Sequence, residues 1–188
     1  MNTSLSRIAA ALLLASGAAA PSVAAEYDID PSHSFVQFRA SHLGFSWVVG
    51  RFNEFSGSFE YDANGPAEAQ SAQVDINVQS LDSNHAERDR HLLSDDFLSA
   101  DEYPDARFES TSFAGDPSGG VLDGNLTLHG TTRPVQITLS FIGEGEDPWG
   151  GYRAGFEGRS TITGKDFGIE HRAVSDIELD LFIEGIRK

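Results

Sequence analysis

The sequence predicts an all-β chain: one eight-stranded antiparallel β-barrel with a short helical segment in the connection between strands three and four. Three observations carry this. Apolar and polar residues alternate at period two in eight separate segments. Most segments are joined by short runs of turn-forming residues. One face of each segment is apolar and the other polar, which is the pattern of antiparallel sheet with one wetted face.

The first 25 residues stand apart from the domain at 26–188. Arg7 is the only charge before Glu26, an apolar stretch runs from Ile8 to Ala20, and Val23-Ala24-Ala25 supplies small residues. That order reads as a secretory signal, with export and cleavage after Ala25 expected. The stretch is short for a bilayer span. The remainder has the length of one domain and buries roughly 70% of its unfolded surface. It contains no cysteine, so its stability rests on the core alone. The formal charge of −16 becomes −17 once Arg7 is removed with the leader. Such a chain repels nucleic acid and anionic membrane surfaces, which excludes nucleic-acid binding as a main function.

The strands follow in order. Val36, Phe38, Ala40 and His42 share one face of the first. Phe55, Gly57, Phe59 and Tyr61 do so in the second; Phe52 has the opposite parity, which predicts a bulge near Asn53-Glu54. Ala72, Val74, Ile76 and Val78 mark the third, and Ala106, Phe108 and Ser110 a weaker fourth. Leu122, Gly124, Leu126 and Leu128 give the fifth, and Val135, Ile137, Leu139 and Phe141 the sixth. Ala154, Phe156, Gly158, Ser160 and Ile162 give the seventh; Ile177, Leu179, Leu181 and Ile183 give the eighth. A sandwich or a barrel would bury these faces, and a barrel also removes exposed edges and leaves room for one slender ligand. The inward Gly57, Gly124, Gly158, Ala72 and Ala154 are expected to leave space for it.

One connection is long. Leu81 to Asp105 contains Asn84 and Ser94 as expected N-caps of two short helical turns, and Leu92, Leu93, Phe97 and Leu98 as apolar anchors. A link of that length in a compact domain reads as a lid or binding loop. Up-and-down connectivity puts it on one rim with the connections near His42–Trp47, His129–Arg133 and Gly164–Ala173. That rim takes five of the six histidines, His42, His85, His91, His129 and His171, with Arg88, Arg90, Arg133, Lys165 and Arg172. The turns expected at the other rim contain no Lys or Arg.

Chemistry is sparse. His85 and His91 lie six residues apart, on different faces of a helix, and neither HxxxH nor HExxH occurs, so no metal site is expected. There is no G-x-S-x-G elbow and no cysteine nucleophile. Asp166-Phe167-Gly168 reads as a tight turn with a buried Phe, and Asn125-Leu-Thr127 lies inside a strand.

The motifs Tyr27-Asp-Ile-Asp-Pro-Ser-His-Ser34, Ser41-His-Leu-Gly44, Gly50-Arg-Phe52, Phe55-Ser-Gly57, Asn84-x-x-Glu-Arg-Asp-x-His-Leu92, Tyr103-Pro104, Leu126-Thr-Leu-His-Gly130, Thr132-Arg-Pro-Val135 and Asp166-Phe-Gly168 together resemble the YceI-like family across the mature chain. Lys165 stands where the family commonly has Arg or Ser. The resemblance implies a lipocalin-like barrel that binds a polyisoprenoid: an isoprenoid quinone, its precursor or a polyprenyl phosphate. It implies a lipid-binding protein rather than an enzyme, with the bound polyisoprenoid in place of any catalytic cofactor. The head-group candidates are His42, Arg51, Arg88, Asp89, His91 and His129. The tail is expected against Val36, Phe38, Phe45, Phe55, Phe59, Val74, Ile76, Phe97, Phe108, Leu126, Leu128, Ile137, Leu139, Phe156, Leu179 and Leu181. Partners would be the lipid itself and a transient membrane contact or membrane redox partner; the oligomeric state is open, a homodimer being one option. Two alternatives stand beside this. One is an enzyme of isoprenoid or lipid metabolism using His91 with Asp89 or Asp96. The other is an interaction module for a membrane redox partner, which a solid interior with filled glycine gaps would favour.

Overall fold

A computed structural model describes residues 24–65, 70–170 and 176–188. Residues 1–23 of the expected leader, His171 and Arg172 lie outside the described residues.

The elements are β1 (Ala25–Ile29), β2 (Phe35–His42), β3 (Ser46–Phe52), β4 (Phe55–Tyr61), β5 (Ser71–Asn77), β6 (Leu81–Asp82), α1 (Ala86–Leu93), β7 (Asp105–Asp116), β8 (Gly119–Leu128), β9 (Thr131–Glu146), β10 (Tyr152–Thr163) and β11 (Asp176–Arg187). Three pairs of segments act as single bent strands. β1 lies along Gly185–Arg187 and β2 along Ile177–Phe182 of the same β11. β4 then pairs with β1 and β3 with β2, while β5 pairs with β4 and β6 with β3. Counted this way the ring has eight strands, runs β7-β8-β9-β10-β11 in sequence order, and closes where β1 joins β11 to β4. Every pairing is antiparallel, as the alternation predicts.

The breaks in the strands have local causes. Between β1 and β2, Pro31 has no N–H to give. Ser34 Oγ replaces a ladder group by accepting from Glu184 N–H at 2.9 Å and donating to its carbonyl at 3.2 Å. Between β3 and β4 the chain turns out at Asn53-Glu54, where the opposite parity of Phe52 predicts a bulge; the Asn53 N–H donates to the Ser80 carbonyl at 3.1 Å. A second bulge, between Ser110 and Ser112, escapes the periodicity. It returns Phe113, 8% exposed, to the interior and makes β7 far longer than its alternation predicts.

The helix starts one residue later than expected. His85 rather than Asn84 is the N-cap, its Nδ1 accepting from the Arg88 N–H at 3.2 Å; Asn84 stands before it with φ 63°. Ser94 is the C-cap of this helix, followed by turns rather than a second helix.

Two hydrophobic clusters line the barrel. One gathers the lid residues Phe97 and Ala100 with Phe108, Leu126, Ile137, Phe167 and Ile169. The other gathers Tyr27, Ile29, Val36, Phe55, Phe59, Tyr61 and Ala154 at the opposite end. There the rings form a plug: Tyr27 stacks on Phe59 at 5.0 Å, and Phe156 meets Phe59 edge-on at 5.5 Å and Tyr61 at 5.0 Å. Burial pushes the Tyr61 hydroxyl up to about 12, since its phenolate would sit in apolar surroundings near Glu144.

Candidate ligand cavity

An elongated cavity of about 530 Å³ runs up the barrel between the plug and the lid. Its wall takes side chains from every strand of the ring and from the lid, and most are apolar. Polar lining groups occur mainly at its two ends. Ser41, His42, Arg88 and His91 stand at the lid end; Glu60, Gln70 and Ser71 stand at the plug end. The Gln70 amide nitrogen is buried there with no hydrogen-bond partner among the described residues.

All the predicted tail residues except Phe45 and Phe55 line this cavity. Phe55 is buried in the plug cluster instead. Phe45 is 86% exposed in the turn between β2 and β3. The wall also uses residues that the tail prediction omits, among them Phe52, Phe113, Leu122, Val135, Ile162, Ile169 and Ile183. The periodicity already marks Leu122, Val135, Ile162 and Ile183 as inward, whereas Phe52 is cut off from the parity of β4 by the break at Asn53-Glu54 and Phe113 lies past the bulge in β7.

Of the inward glycines, Gly57 and Gly124 do not leave the space expected of them, whereas Gly158 lines the cavity. A Cβ at Gly124 would lie 2.4 Å from the Phe108 ring, and at Gly57 2.1 Å from the Gln73 carbonyl oxygen. At Gly158 it would meet Ile137, Leu139 and Leu181 at 3.1–3.3 Å. The Phe108 ring fills the gap at Gly124 and neighbouring backbone the gap at Gly57, yet the interior is not solid. The open volume lies against alanines such as Ala40, Ala72 and Ala106.

The head-group candidates separate into two sets. His42, Arg88 and His91 line the cavity mouth. His91 Nε2 lies 3.3 Å from an Asp96 carboxylate oxygen and its ring meets Phe97 edge-on at 4.9 Å. Arg88 also braces the lid, its Nε donating to Ser83 Oγ at 2.7 Å and its guanidinium to the Ser83 carbonyl. Arg51, Asp89 and His129 are not on the wall. Arg51 takes the outward parity of β3 and lies 3.7 Å from Asp82. Asp89 accepts from Ser83 N–H at 2.9 Å and from the Ser83 hydroxyl, fixing the start of the lid.

His129 fastens three rim connections together. Its Nδ1 lies 3.0 Å from the Phe167 carbonyl, which can only accept, so Nδ1 carries the proton. In the neutral ring Nε2 then accepts from the hydroxyl of Ser99, 3.1 Å away and 7% exposed, while Tyr103 packs edge-on against the imidazole. Phe167 is 1% exposed, the buried aromatic expected of the Asp-Phe-Gly turn. Backbone strain concentrates at this rim. Among the described residues the non-glycines with positive φ are Leu43, Asn84, Ser99 and His129, all in its connections.

The far rim is not free of cations, although its turns are. Arg153, near the start of β10, donates to Asp30 and Asp147 at 2.8 Å and to Glu184, and Lys188 reaches Glu26 at 2.7 Å. The Ser32 hydroxyl, with Arg153 and His33, holds the Asp30 carboxyl well below the usual carboxylate range. Asp30, His33 and Glu184 come within 4.8 Å of one another, a grouping the histidine spacing does not reveal. Arg153 fills it as the counter-ion.

Residues 27–184 match the YceI-like domain. A UPF0312 protein of Pseudomonas aeruginosa is 49% identical over 98% of this chain and 100% of its own length. One of Shewanella baltica is 50% identical, over 98% and 97%. Among solved structures, a Campylobacter jejuni YCEI protein is 28% identical with a TM-score of 0.70, over 79% of this chain and 90% of that one. A polyisoprenoid binding domain from Saccharophagus degradans shares the fold at 17% identity, TM-score 0.64, over 88% and 99%. The chain belongs to the YceI-like family.

Proposed function

We propose that the barrel binds a long-chain polyisoprenoid, with the tail in the cavity and the head at the lid rim, for transport or storage in the periplasm. The observation that carries this is a long apolar cavity whose polar side chains are held back mainly to its ends. A prenyl tail is insoluble in water, and burial stabilises it by about 0.8 kcal/mol per methylene-sized unit. A structure of the same fold is described as a polyisoprenoid binding domain, which supports the ligand class. Arg88, His42 and His91 suit a quinone carbonyl or a phosphate, with Arg88 supplying charge-assisted hydrogen bonds.

The reading is binding rather than catalysis. Asp89, a partner that an enzyme would need for His91, is spent on Ser83, and the His91–Asp96 pair is exposed at the mouth. To test the head placement, a prenyl quinone and a polyprenyl phosphate are loaded into the wild type, Arg88→Ala and His91→Ala. Release at least tenfold faster from the variants is expected; unchanged affinity and release would remove the assignment.

A further inference from the structure

Among the described residues, the hairpin of β2 and β3 gathers the largest run of exposed large apolar side chains. From Ala40 to Gly50 it contains no Asp, Glu, Lys or Arg, in a chain whose formal charge is −16. Its large apolar side chains face water: Leu43 is 64% exposed, Phe45 86%, Trp47 52% and Val49 54%. Arg39 and Arg51 bracket this neutral stretch, and the Arg39 guanidinium lies 5.2 Å from the centre of the Trp47 ring. The tip is also the cavity mouth, since Ala40, Ser41, His42 and Val48 line the wall from the same hairpin.

The turn holds these side chains out. Phe45 N–H donates to the His42 carbonyl at 2.9 Å across two left-handed residues, Leu43 at φ 54° and Gly44 at φ 79°. That primed geometry follows the twist of the strands and keeps the tip projecting. Among the described residues β3 meets β6 only at Arg51 and Phe52, so the side of Ser46–Gly50 away from β2 forms a sheet edge there.

We infer that this hairpin docks the barrel on a lipid bilayer surface. The inference rests on the lipid-carrier reading and names where the carrier meets the membrane. An apolar ligand has no aqueous route of exchange, so its mouth must touch the phase that stores it. The neutral stretch avoids the cost of desolvating charge and an aromatic pair suits the interfacial zone, while Arg39, paired with Glu178, and Arg51, beside Asp82, mark where the charged surface begins. The outer edge of Ser46–Gly50, which has no strand beside it among the described residues, keeps the insertion shallow, because hydrocarbon would leave the N–H and C=O groups on that edge without partners. The remaining acidity makes zwitterionic lipid the better surface.

The chain has two tryptophans, so Trp149→Phe leaves Trp47 as sole reporter. This variant of the full mature protein is mixed with phosphatidylcholine vesicles, with and without brominated acyl chains. A blue shift and bromine quenching of Trp47 are expected, with partitioning reduced at least tenfold by Phe45→Ser. An unshifted, unquenched Trp47 and protein that stays free of the vesicles would overturn the inference, as would docking that Phe45→Ser leaves intact. Bound prenyl quinone is measured separately by extraction. Stoichiometric quinone with no vesicle contact rejects the hairpin alone; vesicle contact with no quinone rejects the cavity reading and upholds the hairpin.

Discussion

Replacing His129 by Ala should loosen the lid rim by an amount that can be worked out. The substitution removes one hydrogen bond to the Phe167 carbonyl and one to Ser99 Oγ, at 3.0 and 3.1 Å. Each is worth about 0.5–1.5 kcal/mol net, and burial of the deserted Ser99 hydroxyl moves the total toward the upper end, about 2–3 kcal/mol. Backbone conformation provides an internal control. His129 has φ 51°, which costs any L-residue about 1–2 kcal/mol and glycine almost nothing. His129→Gly loses the same hydrogen bonds but relieves that strain, so it should destabilise by roughly 1 kcal/mol less than His129→Ala. Urea unfolding followed by circular dichroism gives both differences; for a domain of this size the alanine variant should melt about 4–12 °C lower. If His129→Ala fell within about 0.5 kcal/mol of wild type, the clasp would carry no weight. If the glycine variant were as unstable as the alanine one, the strain argument would be wrong.

Other outcomes follow from the same geometry. Leu179→Trp places a large ring in the cavity wall, where open volume absorbs it. Quinone stoichiometry should fall at least tenfold while unfolding free energy changes by less than about 3 kcal/mol. Because the Asp30 carboxyl is held below its ordinary range, its contribution to stability is complete above about pH 4 and is lost as pH falls further toward its folded value. Denaturation midpoints between about pH 6 and 2 should therefore fall less steeply in Asp30→Asn. Tyr61 titrates at about 12 in the fold against 10.0 ordinarily, so its contribution is present below 10 and lost as pH rises toward 12. Tyr61→Phe should flatten that alkaline limb, as read by fluorescence-monitored unfolding.

Strand content and the inward faces were legible because a one-sided sheet imposes period two on the chain, and Val74, Ile76, Leu126 and Leu128 keep strict alternation. What stayed hidden has physical causes. β1 escapes the alternation because Glu26-Tyr-Asp-Ile29 is short and its partner, the end of β11, lies at the far end of the chain. Phe113 was lost because one inserted residue in β7 reverses parity. Among the rim residues, composition placed histidines and arginines together but gave no direction for each side chain. Only the register shows that Arg51 points away from the cavity, and only the φ of His129 and the seat of Phe167 show a clasp rather than a ligand contact. Gly57 and Gly124 do not open the interior because a missing side chain says nothing about which neighbour moves in, and at Gly124 it is the Phe108 ring.

The most direct test of the lipid reading is solvent extraction of the protein purified gently from its native host, followed by mass spectrometry of the extract. A prenyl lipid at about one molecule per barrel is the result predicted. An empty extract, together with failure of the purified barrel to take up either prenyl quinones or polyprenyl phosphates, would contradict it.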